Sequence, residues 1–168
     1  MIYLKEINVE DAKKEYEFFQ SFPSENGFEN YYFGMSYSDF VDDAIPRARE
    51  AARGTPRREG YVPDTSYLLW DGDTIVGVFR VRHYLNESLA EGAGHISYAI
   101  HPKYRRRGYA TRGLALAIEE LKKMPDFTDD EIYLRCWRSN LPSLRAMLSN
   151  GGYIHHQDDE HCHVRVRR

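Results

Sequence analysis

The segment from Gly94 to Met124 constrains the fold more than any other part of the chain. Gly94–His101 has the length and composition of a strand, and Pro102 ends it. Basic residues follow, and Gly108–Met124 then repeats apolar residues every three to four positions, as an amphipathic helix does. A strand that leads through a short turn into such a helix predicts a sheet with helices packed on it.

The other patterns extend this prediction to the whole chain. Further strands are expected at Ile2–Ile7, Thr65–Trp70, Ile75–Tyr84, Glu131–Trp137, Tyr153–His156 and His161–Val166, with a hairpin turn at Asp71-Gly72-Asp73. Helices are expected from a cap at Asn8 through about Phe22, from a cap at Ser38 toward Arg53 with a kink or break at Pro46, and at Leu141–Asn150, with Asn140 near its cap. Ser24–Tyr37, Gly54–Asp64 and Asn86–Gly94 are expected to be loops. The predicted fold class is therefore α/β, with a mixed sheet.

Composition places the chain among ordinary globular domains. Its 168 residues favour a single domain over 1–168, since no linker divides them. A net charge of −3 gives no bulk attraction to nucleic acid or to a membrane surface. No apolar run approaches the length of a transmembrane helix, so a cytoplasmic location is expected. The two cysteines, Cys136 and Cys162, are expected to be packed thiols rather than a disulfide framework.

The turn before the long helix has the features of an anion-binding site. The first N–H groups of a helix have no partner within the helix, and the helix dipole adds positive charge there. Three consecutive arginines oppose that dipole unless an anion offsets them. Gly108 and Ala110 are small enough for phosphate oxygens to approach the main chain. The sequence therefore predicts a phosphate site, formed by Arg105, Arg106, Arg107, Gly108, Tyr109, Ala110 and Thr111. A solvated turn without a ligand is the alternative.

This turn resembles a known motif. Arg105-x-x-Gly108-x-Ala110, between a strand and a helix, is similar to the coenzyme A-binding motif of the GNAT superfamily of N-acetyltransferases. The flanking segments His95–Pro102, Asn140-x-x-Ser143 and Gly151-Gly152-Tyr153 also resemble that family. Gly60-Tyr-Val-Pro63, Arg82-His-Tyr-Leu-Asn86 and Gly94-His-Ile-Ser-Tyr98 are similar to a bacterial branch of predicted acetyltransferases whose substrates are undefined.

The resemblance implies both a fold and a reaction. The fold would be a GNAT-like acyl-CoA N-acyltransferase domain, with a mixed, mostly antiparallel, twisted sheet of about seven strands and about four helices. The reaction would be direct transfer of an acetyl group from acetyl-CoA to a primary amine in a ternary complex, with no metal. Main-chain groups of Tyr98, Ala99 and Ile100 would bind pantetheine and polarise the thioester. The Arg105–Thr111 main chain would hold the pyrophosphate, and Asn140, with Ser143 beside it, would contact the pantetheine arm.

One position departs from the family pattern. Many members have a tyrosine seven residues after the Asn140 position, where it serves as the general acid for the leaving thiolate. This chain has Met147 there, and a thioether cannot donate a proton. Either another group, such as Tyr98 or Tyr109, is the acid, or the thiolate leaves with help from water. The candidate bases are His83, Glu91 and His95, because each lies in or beside the expected central strands.

The acceptor is an amine on a small molecule or on a protein, and the sequence does not choose between them. The loop Ser24–Tyr37, which combines aromatic residues with carboxylates, is expected to cover the acceptor site. The resemblance also allows a homodimer through the C-terminal strands.

Three other classes of function are weighed against the acetyltransferase. The absent tyrosine keeps open a non-catalytic domain that binds coenzyme A, for example as a sensor. His155, His156, His161, Cys162 and His163 crowd the C-terminal hairpin, but alternation along a strand separates them, so a metal site is not expected. A basic run between Arg47 and Arg58 is offset by acidic stretches, which argues against nucleic-acid binding.

Overall fold

The computed structural model describes all 168 residues, and a four-stranded antiparallel sheet forms its first part. In spatial order, its strands are β1 (Ile2–Glu6), β2 (Asp64–Asp71), β3 (Thr74–Arg82) and β4 (Ile96–Ile100). β2 and β3 form the predicted hairpin around Gly72. The bounds of these strands agree closely with the sequence prediction.

The last part of the chain builds a second antiparallel sheet. It contains β5 (Glu131–Trp137), β6 (Gly152–Gln157) and β7 (His161–Arg167), in the order β5-β7-β6. The seven strands and the α/β class confirm the predicted fold. The strands are divided between two sheets because β4 and β5 meet at only one point.

That meeting point depends on Gly94. The structure has an isolated bridge between Gly94 and Leu134, and the His95 N–H donates to the Tyr133 carbonyl at 2.7 Å. Gly94 has φ +70°, and a Cβ added there would lie 2.1 Å from the Tyr133 oxygen. Glycine alone fits this contact. Beyond it the two strands make no ladder, and the space between them is called the β4–β5 gap below.

Helices cover both faces of the first sheet. They are α1 (Ala12–Gln20), α2 (Tyr37–Asp39), α3 (Ile45–Ala52), α4 (Glu87–Glu91), α5 (Tyr109–Lys123) and α6 (Leu141–Ser149). None of them is both long enough and apolar enough to cross a membrane.

Two helix starts differ from the prediction. Asn8 does not cap α1: its side chain accepts a hydrogen bond from the Asp11 N–H at 2.9 Å and thereby closes a turn before the helix. The cap of α2 is Ser36 rather than Ser38, since the Ser36 hydroxyl accepts from the Asp39 N–H at 3.1 Å. Both errors come from choosing between neighbouring residues that have the same capping chemistry.

The segment Asn86–Gly94, predicted as a loop, contains the short helix α4. The Asn86 side chain accepts a hydrogen bond from the Leu89 N–H at 2.9 Å, which makes Asn86 the cap of that helix. α4 is too short to show a helical period of apolar residues, so its cap residue, Asn86, is the only signal for this helix in the sequence.

Pro46 does not break the second helical segment. A π-helical turn, Phe40–Ala44, joins α2 to α3, and within it the Ile45 N–H bonds to the Phe40 carbonyl. A wider turn immediately before proline relieves the clash of its ring with the preceding turn. The chain therefore stays helical from Tyr37 to Ala52.

The core lies in two layers, one on each face of the first sheet. α5 packs closely on the first face, since a Cβ added at Gly113 would lie 2.4 Å from the Phe79 ring. On the second face, α1, α3 and the residues 24–37 pack an apolar cluster rich in aromatic rings against β2 and β3; it includes Phe19, Phe40 and Leu68, all fully buried. The β4–β5 gap can therefore be reached from the face that carries α5 and from the face that carries residues 24–37.

Candidate active site

β4 presents unpaired main-chain groups to the β4–β5 gap. Along an antiparallel strand, residues bond alternately to one side and the other. The His101 N–H donates to the Val76 carbonyl of β3 at 3.0 Å, which sets this alternation. The N–H and C=O groups of Tyr98 and the N–H of Ile100 consequently face the gap without a partner, whereas the Ile100 carbonyl accepts from the Arg105 side chain and the groups of Ala99 bond to β3. Of the three residues predicted to bind pantetheine, two are therefore oriented for it.

The basic turn ends in a main chain with several unpaired donors. Arg106 and Gly108 are left-handed, with φ of +63° and +76°, and Gly108 caps α5. None of the six N–H groups from Arg106 to Thr111 donates to an acceptor in the protein; the first bond of α5 joins the Arg112 N–H to the Gly108 carbonyl at 3.1 Å. Alternating left-handed residues before a helix point successive N–H groups into a common anion site.

The three arginine side chains of the turn behave differently. The Nε of Arg105 donates to the Ile100 carbonyl at 3.1 Å, and its guanidinium pairs with Glu25. Arg105 therefore fastens the turn to the end of β4. Arg106 and Arg107 are exposed and make no ion pair, so both remain available to a ligand.

Two further hydrogen bonds hold the first turn of α5 in place. The Tyr109 hydroxyl donates to Asp71 at the end of β2, at 2.6 Å. The Asn150 amide, after α6, donates to the Thr111 carbonyl at 3.0 Å. The unpaired N–H groups of the turn are thus held in a fixed position before any ligand binds.

The start of α6 lies across the β4–β5 gap from β4. The Asn140 side-chain oxygen caps α6 through the Ser143 N–H at 3.4 Å, as predicted, and the amide nitrogen keeps its hydrogens free. The Tyr98 hydroxyl reaches α6, at 2.8 Å from the Ser143 hydroxyl and 3.2 Å from the Ser143 carbonyl. Burial raises the pKa of Tyr98. Met147 is buried in the core and takes no part in this contact.

An open cleft of about 800 Å³ lies between α4 and β5, next to the point where Gly94 bridges to Leu134, and Glu29 of the residues 24–37 also lines it. Its walls include three carboxylates, an arginine and an exposed tyrosine: Glu29, Glu87, Glu91, Arg135 and Tyr61. α4 supplies two of the carboxylates and β5 the arginine. This composition suits a polar ligand that carries charge.

Comparison with known proteins identifies the family. A model described as the acetyltransferase (GNAT) family matches residues 27–151. The chain belongs to the GNAT acetyltransferase family. No curated protein sequence matches it.

Solved structures share the fold of this GNAT protein at low sequence identity. A GNAT-family acetyltransferase from Streptococcus pneumoniae is 11% identical over 98% of each chain, with a TM-score of 0.64. An aminoglycoside acetyltransferase in complex with coenzyme A is 14% identical, with 100% of this chain and 95% of that chain covered and a TM-score of 0.66. The microcin C7 self-immunity acetyltransferase, in complex with acetyl-CoA and AMP, is 14% identical over 99% and 92%, with a TM-score of 0.66. At these identities the likeness shows the fold alone.

His95, a predicted base in this GNAT protein, is fully buried and uses both ring nitrogens. Nδ1 accepts from the Tyr133 N–H at 2.8 Å, so Nε2 carries the hydrogen and donates to Asp129 at 3.0 Å. Desolvation lowers the pKa of His95 to about 4, against the opposing effect of Asp129. His95 therefore links β4 to β5. Because neither ring nitrogen has a free lone pair, it is not placed to accept a proton from an amine.

His83, the second predicted base, lies away from the gap. Its Nε2 is 2.9 Å from the Thr65 hydroxyl of β2, on the far side of β3 from β4. Burial lowers the pKa of His83. Glu91 differs from both histidines, since it is exposed and lines the cleft beside the gap.

The loop of residues 24–37 spans the mouth of the gap. Glu25 pairs with Arg105, which follows β4. Gly27 packs on the indole of Trp137, at the end of β5. The loop therefore touches both walls of the gap, on the face opposite α5. This position is the one expected for a segment that covers an acceptor.

A buried ion pair that the sequence analysis missed supports this loop. Arg57, in the connector before β2, donates twice to Asp64, with a closest distance of 2.8 Å. It also donates to the Tyr32 hydroxyl at 3.0 Å and to the Ser66 hydroxyl at 2.9 Å. The sequence indicates Arg57 only as part of a basic run, because no local pattern shows which arginine of such a run is buried.

The histidines of the C-terminal hairpin pair with one another and with a carboxylate. His156 stacks on His163 at 4.1 Å between ring centres, and His163 Nε2 lies 2.8 Å from Asp158. His163 and two main-chain N–H groups hold the pKa of Asp158 well below its usual range. No group of three or more ligating side chains in the chain is arranged to hold a metal ion.

Proposed function

We propose that this GNAT acetyltransferase transfers the acetyl group of acetyl-CoA to a primary amine by direct attack within a ternary complex. One observation carries the proposal: six consecutive unpaired N–H groups, from Arg106 to Thr111, lie at the start of α5 beside the β4–β5 gap. Such a row of donors matches the several oxygens of a pyrophosphate. The exposed side chains of Arg106 and Arg107 would add positive charge.

The gap would hold the pantetheine arm. The main-chain groups of Tyr98 and Ile100 face it from β4, and Asn140, whose amide nitrogen has no partner in the protein, would contact it from the start of α6. An N–H group on the edge of β4 would polarise the thioester carbonyl and stabilise the oxyanion that forms on attack. The amine nitrogen bonds to the carbonyl carbon, the carbon–sulfur bond breaks, and the products are an amide and a thiol.

Tyr98 is the proposed general acid. It crosses from β4 to α6 and ends at Ser143, so its hydroxyl lies between the two elements that border the gap. A tyrosine hydroxyl is protonated at neutral pH, as a proton donor must be. Ser143 would hold the hydroxyl in place and could return a proton to it. The position of Tyr98 supplies the function that Met147 cannot.

Glu91 is the proposed general base. Among the three predicted bases it alone lines the cleft through which an acceptor would reach the gap. A carboxylate there can take the ammonium proton, directly or through one water molecule, and so generate the neutral amine that attacks. His83 and His95 are left with structural roles.

Calorimetric titration of acetyl-CoA tests the proposal at its best-supported point. We expect micromolar binding to the wild-type chain and a loss of about 10-fold or more for Arg107→Glu and for Gly108→Asp, which place negative charge at the turn. Arg53→Glu is the matched control, since it makes the same charge change at an exposed site after α3.

Three outcomes would be decisive. Absence of binding to the wild-type chain, or equal loss in the control, would refute the pyrophosphate turn. Binding without turnover of any amine in a broad panel would favour the second candidate, a non-catalytic coenzyme A-binding domain. Binding together with release of free thiol only when an amine is present would support the transferase.

A further inference from the structure

Arg80, in the middle of β3, is buried and has no hydrogen-bond partner. Its residue is 7% exposed, and its Nε is completely enclosed without an acceptor. Its guanidinium carbon lies 4.7 Å from the ring centre of Tyr31 and 5.6 Å from that of Phe28, both in the loop that spans the gap. Aromatic rings stabilise the flat face of a guanidinium, but they do not satisfy the N–H groups in its plane.

A second arginine lies next to it on the same face. Arg82, two residues along β3, donates to the Gly94 carbonyl and to the Ser97 hydroxyl, each at 3.0 Å. Both acceptors are neutral. Burial, together with the charge of Arg80, lowers the pKa of Arg82 to about 10. Two neighbouring arginines therefore lie here without an ion pair to any carboxylate.

Two carboxylates of this region are bound elsewhere. Asp64 is held by Arg57 at 2.8 Å, and Glu25 is held by Arg105. An enclosed charge without a partner is strongly unfavourable, so natural proteins pair such groups. The enclosed Nε of Arg80, which has no acceptor in the protein, therefore leaves a donor to which an anion can bind.

The position of Arg80 relates this anion to the reaction. In the β3–β4 register, Arg80 lies opposite Ser97, and the next residue is Tyr98, whose main-chain groups face the gap. Adjacent strands are roughly 5 Å apart. An anion bound by Arg80 would therefore be close enough to an amine attacking a thioester in the gap for both groups to belong to one small acceptor molecule.

We propose that Arg80 binds an anionic group of the acceptor, so that the acceptor is an amine that also carries a carboxylate or a phosphate. The inference rests on the proposed function and narrows it, because it excludes simple polyamines as preferred acceptors. The forked guanidinium matches the paired oxygens of a carboxylate or phosphate, and Tyr31 and Phe28 would hold that fork in one orientation.

Matched pairs of acceptors test the proposal. Acetylation by the wild-type protein is followed by thiol release with lysine against cadaverine, tyrosine against tyramine, and O-phosphoethanolamine against ethanolamine. We expect the anionic member of at least one pair to have a kcat/KM about 10- to 100-fold higher, the effect of hydrogen bonds to a charged group. The phosphate pair and the amino-acid pairs distinguish the two anions. Equal kcat/KM within every pair would overturn the proposal.

Variants assign the preference to Arg80. Arg80→Met keeps the apolar stem between the aromatic rings, and it should abolish the preference while leaving kcat/KM for the uncharged amine unchanged. Arg80→Lys should retain part of it. Arg53→Met is the matched control, because it makes the same substitution at an exposed arginine that lies outside the cleft and the gap. A preference that survives in Arg80→Met would also overturn the proposal.

A binding measurement separates this inference from the proposed function. Thermal unfolding of the wild-type protein without acetyl-CoA should be shifted upward by the anionic member of the preferred pair and not by its neutral partner. That shift should vanish in Arg80→Met, and if this variant does not fold, the shift should be reduced in Arg80→Lys. A chain that fails to bind acetyl-CoA but shows this shift would refute the transferase and keep the anion site; the reverse result would refute the anion site alone.

Discussion

Gly94→Ala should weaken the protein at the point where its two sheets meet. Alanine at φ +70° costs about 1 kcal/mol relative to glycine. Its Cβ would also lie 2.1 Å from the Tyr133 oxygen, where ordinary contact begins at 3.4 Å. Relief of that clash separates two hydrogen bonds, the His95 N–H to the Tyr133 carbonyl and the Tyr133 N–H to the His95 ring, each of which contributes about 1 kcal/mol. The expected total loss is about 3 kcal/mol.

Gly151→Ala is the matched control for this prediction. Gly151 has φ +83°, but a Cβ added there would meet nothing within 4 Å. This variant should lose about 1 kcal/mol, from the main-chain term alone. Since about 1 kcal/mol shifts Tm by about 2–4 °C in a domain of this size, thermal unfolding should show drops of about 6–12 °C for Gly94→Ala and about 2–4 °C for the control. Equal drops would refute the reasoning that a close strand contact at Gly94 defines the gap.

Four further outcomes follow from the structure. Tyr98→Phe should lower kcat by about 100-fold while leaving acetyl-CoA affinity unchanged, and loss of affinity with unchanged kcat would argue against its acid role. Glu91→Gln should lower kcat/KM by about 100-fold, whereas Glu87→Gln, in the same cleft, should have little effect. Arg57→Met, which leaves Asp64 buried and unpaired, should cost about 3–5 kcal/mol in urea unfolding, whereas Arg47→Met, which breaks an exposed pair with Asp43, should cost under about 1 kcal/mol. Because the folded state lowers the pKa of His95 to about 4, the neutral ring stabilises the fold fully above about pH 6.5, and this contribution is lost as the pH falls toward 4; His95→Asn should flatten that part of the stability profile.

The sequence was most informative where local chemistry decides the structure. The hairpin at Gly72 and the strand Glu131–Trp137 follow from periodicity and turn residues, and the structure has both. The cap at Asn140 was predicted from the residue type and is present. These features depend on neighbours in the chain, which a single sequence displays directly.

Features that depend on distant contacts were not predictable. The separation of β4 from β5 depends on Gly94 meeting Tyr133, and nothing near Gly94 in the sequence shows that contact. The alternation that turns Ala99 toward β3 and Tyr98 toward the gap is set by pairing with β3. His95 looked like a base because histidine often is one, but its two partners, Tyr133 and Asp129, come from β5 and the turn before it.

Arg80 and Arg82 are visible in the sequence as two charged residues within an apolar strand, but the sequence alone does not explain why they are there. β3 is buried on both faces, and a strand of this kind normally reads as a continuous apolar run. Two arginines at alternate positions interrupt that run on one face only; Arg80 packs against Phe28 and Tyr31 without an ion pair, and Arg82 donates only to neutral acceptors. A buried charge that the protein leaves unpaired is most simply explained by a charge that arrives from outside. On this argument the acceptor, rather than the fold, accounts for the two arginines, because their positive charge on β3 would match an anionic group of the substrate.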